Sequence, residues 1–246
     1  KNTLKNCILG KTIINIDVFY DKIIDNVSEK EFIESLINQT FIDIKRRGKY
    51  LIFILNDYYL IGHLRMEGKY FLYSDLNFSK HDHIIFYFDD CNLRYNDTRK
   101  FGRMYLYKKE DYKCFEDLYN SNALKNVGKE PFDTDMTLDY LKGKLKTSSK
   151  AIKTNLLDQS IMCGLGNIYV DEVLFMCNLH PETVSKHLSD EDINNIINNS
   201  IIVLNKAIKL GGTTIRSFKS SHDISGRFHN ELLVHTKEVY HQVYYL

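Results

Sequence analysis

Residues 151–175 read AIKTNLLDQSIMCGLGNIYVDEVLF. The pattern is a short helix, a turn, a bare glycine loop at Gly164-Leu165-Gly166, an asparagine and a second helix. Two glycines just before a helix start leave backbone N–H groups uncovered, and the helix dipole adds partial positive charge there, which suits a phosphate. Asn167 would place an amide donor at the mouth of that site, and Lys153 could reach it from the preceding helix. A Gly-x-Gly pair alone is more often an ordinary turn, and only the whole string is specific.

Outward from this stretch, the periodicity is helical from residue 137 onward. Ser189-Asp-Glu-Asp192 reads as a capped helix start, after which Ile193, Ile196, Ile197, Ile201, Leu204 and Ile208 line one face until Gly211-Gly212. A short strand is expected at residues 231–235. Upstream, residues 50–55, 58–64, 69–73 and 82–88 are Ile-, Phe- and Tyr-rich segments separated by Asn56-Asp57, Glu67-Gly68 and Asp89-Asp90 turns. The near-continuous apolar run at 84–88 suits a strand covered on both faces. The expected fold class is therefore α+β in two domains: an N-terminal antiparallel β-sandwich with flanking helices over residues 1–124, and a helical domain over 137–246. Residues 125–136, with Gly128, Pro131 and several acids, read as the interdomain linker.

Bulk properties narrow the class only partly. The chain has 246 residues and a formal net charge of +1, so affinity for nucleic acid would come from clustered charge, not excess. Such clusters occur at Lys45-Arg46-Arg47 with Lys49, at Arg99-Lys100 with Arg103, and along residues 142–153, although a charge run is usually a solvated face. The five cysteines, at positions 7, 91, 114, 163 and 177, show neither zinc spacing nor a disulfide framework, and they read as reduced thiols. Neither a signal peptide nor an apolar run of bilayer length is present. The abundance of Ile, Asn and Lys reads as nucleotide-composition bias.

The 151–175 string resembles the helix-two-turn-helix segment of the bacterial formamidopyrimidine-DNA glycosylase family. Six further blocks match in the same order: RRGKYLIF (46–53), IGHLRMEG (61–68), KHDHIIF (80–86), LRYNDTRKFG (93–102), GKEPF (128–132) and GGTTIRSF (211–218). The resemblance implies a base-excision glycosylase with AP-lyase activity that removes oxidised purines from double-stranded damaged DNA. It also implies a monomer in the cytoplasm, associated with the nucleoid and not with a membrane.

Such an enzyme must extrude a nucleotide, fill the hole and attack the sugar. By motif position Met66, Arg99 and Phe101 match the intercalating triad: Met and Phe can wedge between base pairs, and Arg can bond the estranged cytosine. Taken alone, Met66 and Phe101 would be ordinary core residues. Lys49 matches a lysine that contacts the DNA backbone near the lesion and influences catalysis. His63, Lys153, Gly166, Asn167 and Tyr169 match phosphate-holding positions, although an isolated His63 would more often be a satisfied sheet histidine. Residues 213–227, beginning Thr213, Thr214, Ile215, Arg216, Ser217 and Phe218, would form the loop that closes over the extruded purine.

The sequence departs from the family pattern at both ends. Family members begin Pro-Glu-Leu-Pro-Glu, with the proline amine forming a Schiff base on the sugar and the glutamate serving as acid/base. This sequence starts at Lys1, so roughly ten residues of head, judged by motif register, are expected outside it. The family ordinarily closes with a four-cysteine finger holding one structural zinc. Residues 237–246 carry no cysteine, although Val243-Tyr244-Tyr245 is similar to the finger's return strand, so no metal is expected from the residues shown. Alternatives are a non-catalytic damaged-DNA-binding homologue, an endonuclease VIII-type glycosylase for oxidised pyrimidines, and an RNA-associated helix-two-turn-helix protein; A-form RNA offers the triad no comparable groove.

Overall fold

The computed structural model describes residues 1–212 and 228–234. They fall into two compact units, one over residues 1–125 and one from residue 126 onward. The expected lesion loop, including Thr213, Thr214, Ile215, Arg216, Ser217 and Phe218, and the expected return strand at 243–245 lie outside the described residues.

In the first unit, helix α1 (Asn2–Ile8) and helix α2 (Glu29–Leu36) flank two four-stranded antiparallel sheets. One sheet has the order β1 (Asn15–Val18), β6 (Asp82–Tyr87), β7 (Asn92–Asn96), β5 (Lys69–Tyr73). The other has β2 (Asp43–Arg47), β3 (Tyr50–Ile54), β4 (Tyr58–His63), β8 (Arg103–Lys108). The four strands expected from aromatic and β-branched runs are β3, β4, β5 and β6. Residues 82–86 of β6 are buried along their whole length, as the apolar run required. The RRGKYLIF block (46–53) spans a hairpin in which Arg47 pairs with Tyr50 across Gly48-Lys49. Gly48 has φ 54°, and a positive φ at the first central residue gives a two-residue turn the twist its strands need. Lys49 therefore sits in the turn.

Edge-to-face rings run through the sandwich core. Phe88 meets Phe41 at 5.9 Å, Phe41 meets Phe53 at 5.7 Å, Phe53 meets Tyr70 at 5.5 Å and Tyr70 meets Tyr95 at 5.4 Å. Such pairs add about 0.5–1.5 kcal/mol each beyond the area they bury. The series ends at Tyr95, whose hydroxyl lies beneath two turns described below.

The second unit packs α3 (Leu138–Leu145), α4 (Ile152–Leu157), α5 (Asn167–Met176) and α6 (Asp190–Lys209) around one apolar core. Residues 126–136 belong to this unit, with Met136 in its core and Lys129 bridged to Met162. Helix α6 starts with a complete capping box between Ser189 and Asp192. Its buried stripe is Ile193, Ile196, Ile197, Ser200, Val203 and Ala207. The expected members Ile201 and Leu204 are only partly buried, and Ile208 is 59% exposed. A 3.6-residue period from Ile193 leads to Ser200, Val203 and Ala207, and Ser200 satisfies its hydroxyl on the Ile196 carbonyl at 2.6 Å.

The expected strand at 231–235 is absent among the described residues. Phe228–Glu231 form a single 3-10 turn, and the backbone N–H groups of Leu233 and Val234 donate to the Glu172 carboxylate at 2.7 and 3.0 Å. A buried side chain has taken the amides a strand would have paired.

Candidate nucleic-acid interface

In the first unit, three turns carry the residues singled out from sequence: 48–49, 64–68 and 97–102. Strand β4 ends at His63, which lies opposite Tyr50 on one side and Arg103 on the other. The His63 ring stands edge-on to Tyr50 at 4.5 Å, and its Nδ1 accepts the backbone N–H of Arg65 at 3.0 Å. Burial first, then the charges of Arg65 and Lys49, pull its pKa down to about 4. At neutral pH the ring is therefore an uncharged donor through Nε2, suited to a phosphate oxygen. Lys49 is exposed and close enough to His63 to act on it electrostatically.

Met66 and Phe101 are not core residues: they are 71% and 49% exposed. Each follows a non-glycine residue in the left-handed region, Arg65 at φ 54° and Lys100 at φ 59°. Left-handed backbone at such residues is uncommon and is kept where surrounding structure demands it. The Arg99 guanidinium lies 4.7 Å from the centre of the Phe101 ring. Phe101 thus presents a flat aromatic tip with a stacked cation and Met66 an apolar tip, side chains suited to entering a base stack and bonding a base edge.

Sequence reasoning passed over what holds these turns. Asp97 is fully buried; its Oδ1 accepts from the N–H of Arg99 at 3.0 Å and its Oδ2 from the N–H of Gly102 at 2.9 Å. The Tyr95 hydroxyl donates to the same Oδ2 at 3.2 Å. His83, at an irregularity in β6, places Nε2 2.7 Å from the Asp97 carbonyl oxygen. All five residues lie within the KHDHIIF and LRYNDTRKFG blocks, where a buried carboxylate cannot be told from a solvated one.

In the second unit, Gly166 is the N-cap of α5, Asn167 is its exposed first residue, and no side chain caps it. One expectation changes: the Gly164 N–H is not left open, because Gln159 Oε1 accepts it at 3.0 Å while Gln159 Nε2 donates to the carbonyls of Leu157 and Leu165. Gly164 has φ +105°, a backbone that favours glycine. Lys153, expected as a cation reaching for phosphate, forms an ion pair with Asp171 at 2.6 Å; it is one-third exposed and the acid is buried. Tyr169 packs edge-on to Phe228 at 5.6 Å. Asp171 and Glu172, both buried in α5, are the residues here that helical periodicity alone would have put in solvent.

Among the described residues no three His, Cys, Asp or Glu side chains come together as a metal site, and no helix is long and apolar enough to cross a membrane.

The formamidopyrimidine-DNA glycosylase N-terminal domain model matches residues 1–104, and the formamidopyrimidine-DNA glycosylase H2TH domain model matches residues 127–219. The chain is 42% identical over 241 residues to a formamidopyrimidine-DNA glycosylase of Bacillus anthracis, covering 97% of this chain and 85% of the relative. It is 42% identical over 238 residues to the protein of that name from Oceanobacillus iheyensis, covering 96% and 83%. Among solved structures, the complex of Lactococcus lactis Fpg with an abasic-site DNA superposes with a TM-score of 0.86 at 39% identity, over 96% of this chain and 85% of that one. The wild-type Lactococcus lactis protein bound to an N7-benzyl-Fapy-dG DNA gives 0.86 at 40% identity, over 96% and 85%.

Proposed function

The chain belongs to the formamidopyrimidine-DNA glycosylase family, and from that membership we propose that it excises oxidised purines from damaged duplex DNA. It is a base-excision DNA glycosylase with AP-lyase activity, acting as a single chain on the damaged duplex. The division of labour follows from the residues each unit carries. Met66 and Phe101 fill the space that the extruded nucleotide leaves, and Arg99 bonds the base left without a partner. Lys49 contributes an exposed cation and His63 a neutral N–H donor to backbone phosphates near the lesion. Gly166 and Asn167, at the dipole-positive start of α5, take a second phosphate with Lys153 and Tyr169 beside it.

The observation that carries this reading is the exposure of Met66 and Phe101 beside Arg99, because large apolar side chains at the tips of two strained turns contribute little to the fold. In this reading the residues named above bind, extrude and orient the nucleotide for attack on its sugar. Borohydride reduction of the native protein on a duplex with 8-oxoguanine opposite cytosine should give a covalent protein–DNA adduct. Absence of an adduct on every oxidised-purine duplex would refute the assignment.

The four-cysteine zinc site usual in the family does not fit the residues present. Three cysteines lie in the first unit, two in the second, and residues 235–246 contain none. No role in the reading above depends on a metal.

A further inference from the structure

Two exposed tips can act as one tool only if their separation is fixed, and neither Met66 nor Phe101 is buried in the core that would fix it. We propose that Tyr95 and Asp97 form a positioning unit that locks the 64–68 and 97–102 turns together, so that Met66 and Phe101 enter the base stack at a set spacing. The proposal rests on the reading of Met66, Arg99 and Phe101 as the wedge.

The geometry is specific. Gly68 lies two residues after Met66, and Gly102 directly follows Phe101. A Cβ on Gly102 would fall 1.7 Å from the Tyr95 hydroxyl oxygen, and one on Gly68 would fall 2.5 Å from the same atom. One buried oxygen therefore occupies the space at both glycines, and the turns meet over it. Asp97 supplies the second constraint: its two carboxylate oxygens hold the N–H groups of Arg99 and Gly102 on either side of Lys100 and Phe101. Its own backbone is pinned as well, with its N–H on the His81 carbonyl at 3.0 Å and its carbonyl on His83. Burial and the adjacent Asp97 raise the Tyr95 pKa, so the phenol remains the donor in that bond. The ring itself is anchored by Tyr70 and the core rings behind it. Neither Tyr95 nor Asp97 is exposed to a ligand. Their action is on the wedge and, through it, on extrusion.

Extrusion from a well-stacked duplex needs the wedge, whereas a lesion in a loosened duplex costs less to unstack. Single-turnover excision by the native protein is compared on 8-oxoguanine opposite cytosine and on the same lesion opposite an abasic gap. Asp97→Asn is expected to slow the stacked substrate by about tenfold and Tyr95→Phe by about threefold or more, with both effects shrinking to less than about twofold on the loosened one. Equal slowing on both substrates, or none on either, overturns the proposal. Tyr95→Phe removes a single oxygen and keeps the ring in the core, so it decides the question if Asp97→Asn fails to fold. Met66→Ala and Phe101→Ala separate the two levels. If they leave the stacked substrate unaffected, the wedge reading itself falls, and the proposal with it. If they slow it while Tyr95→Phe does not, the positioning proposal alone falls.

Discussion

The backbone N–H of Arg65 donates to Nδ1 of His63 at 3.0 Å, and this bond decides which ring nitrogen carries the proton. The same Arg65 adopts the left-handed backbone that directly precedes Met66. The tautomer of His63 and the turn that presents Met66 are thus set by one short piece of backbone.

The first prediction concerns pH. His63 has a folded-state pKa of about 4 against an ordinary value of 6.5, so the unfolded chain takes up its proton first. The stability this group contributes is complete above about pH 6.5 and is lost as the pH falls toward about 4. Thermal melts at about pH 7.5 and pH 5 should show a larger drop for the native protein than for His63→Gln. Imidazole resonances in NMR should show no His63 titration across the neutral range.

Arg99 gives the second. It is exposed and stacked on Phe101, so Arg99→Ala should shift folding stability by less than about 0.5 kcal/mol. Excision should lose its preference for cytosine over adenine opposite the lesion by about fivefold or more, because the lost bond discriminates between bases. Parallel rate measurements on the two duplexes check this.

Lys153 should report on two roles at once. Lys153→Ala should weaken binding to abasic-site DNA and reduce the salt slope by about one unit, as expected for one lost phosphate contact. It also removes the cation beside the buried Asp171, which should cost about 1–2 kcal/mol of stability given the partial exposure of the pair. Lys153→Arg should retain much of both.

Glu172 should act on stability through the 228–234 segment. Glu172→Gln leaves one acceptor for the amides of Leu233 and Val234 and turns a donor toward the other, a loss of about 1.5–3 kcal/mol. The melting temperature should fall by about 5 °C or more, and limited proteolysis after residue 228 should quicken.

The parts of the fold visible in the sequence are those where chemistry and period agree locally. The aromatic runs at β3 to β6 and the Ser189–Asp192 cap are examples. Gly48-Lys49 shows the limit: strand propensity continues across it, and only the positive φ at the first turn residue separates β2 from β3. Motif position singled out Met66, Arg99 and Phe101, but the exposure of Met66 and Phe101 was not legible, since a Met or Phe beside a strand is ordinarily buried. Their supports were harder still. Tyr95 meets Gly68 through a fold-level coincidence, and Asp97, Asp171 and Glu172 are acids whose partners lie in other elements. Glu172 finds its amides 61 and 62 residues downstream, a pairing no local pattern encodes.

The two glycines over the Tyr95 hydroxyl have an evolutionary consequence. At the tips, Met66 and Phe101 face open solvent, so the fold accepts many side chains there. At the footing, neither glycine has room for a single methyl group: at Gly102 it would meet the phenol, and at Gly68 both the phenol and the Leu64 carbonyl. Descendants of this protein can therefore exchange the tips while inheriting the mount unchanged. A lineage that loses either glycine must rebuild both turns before it can explore anything.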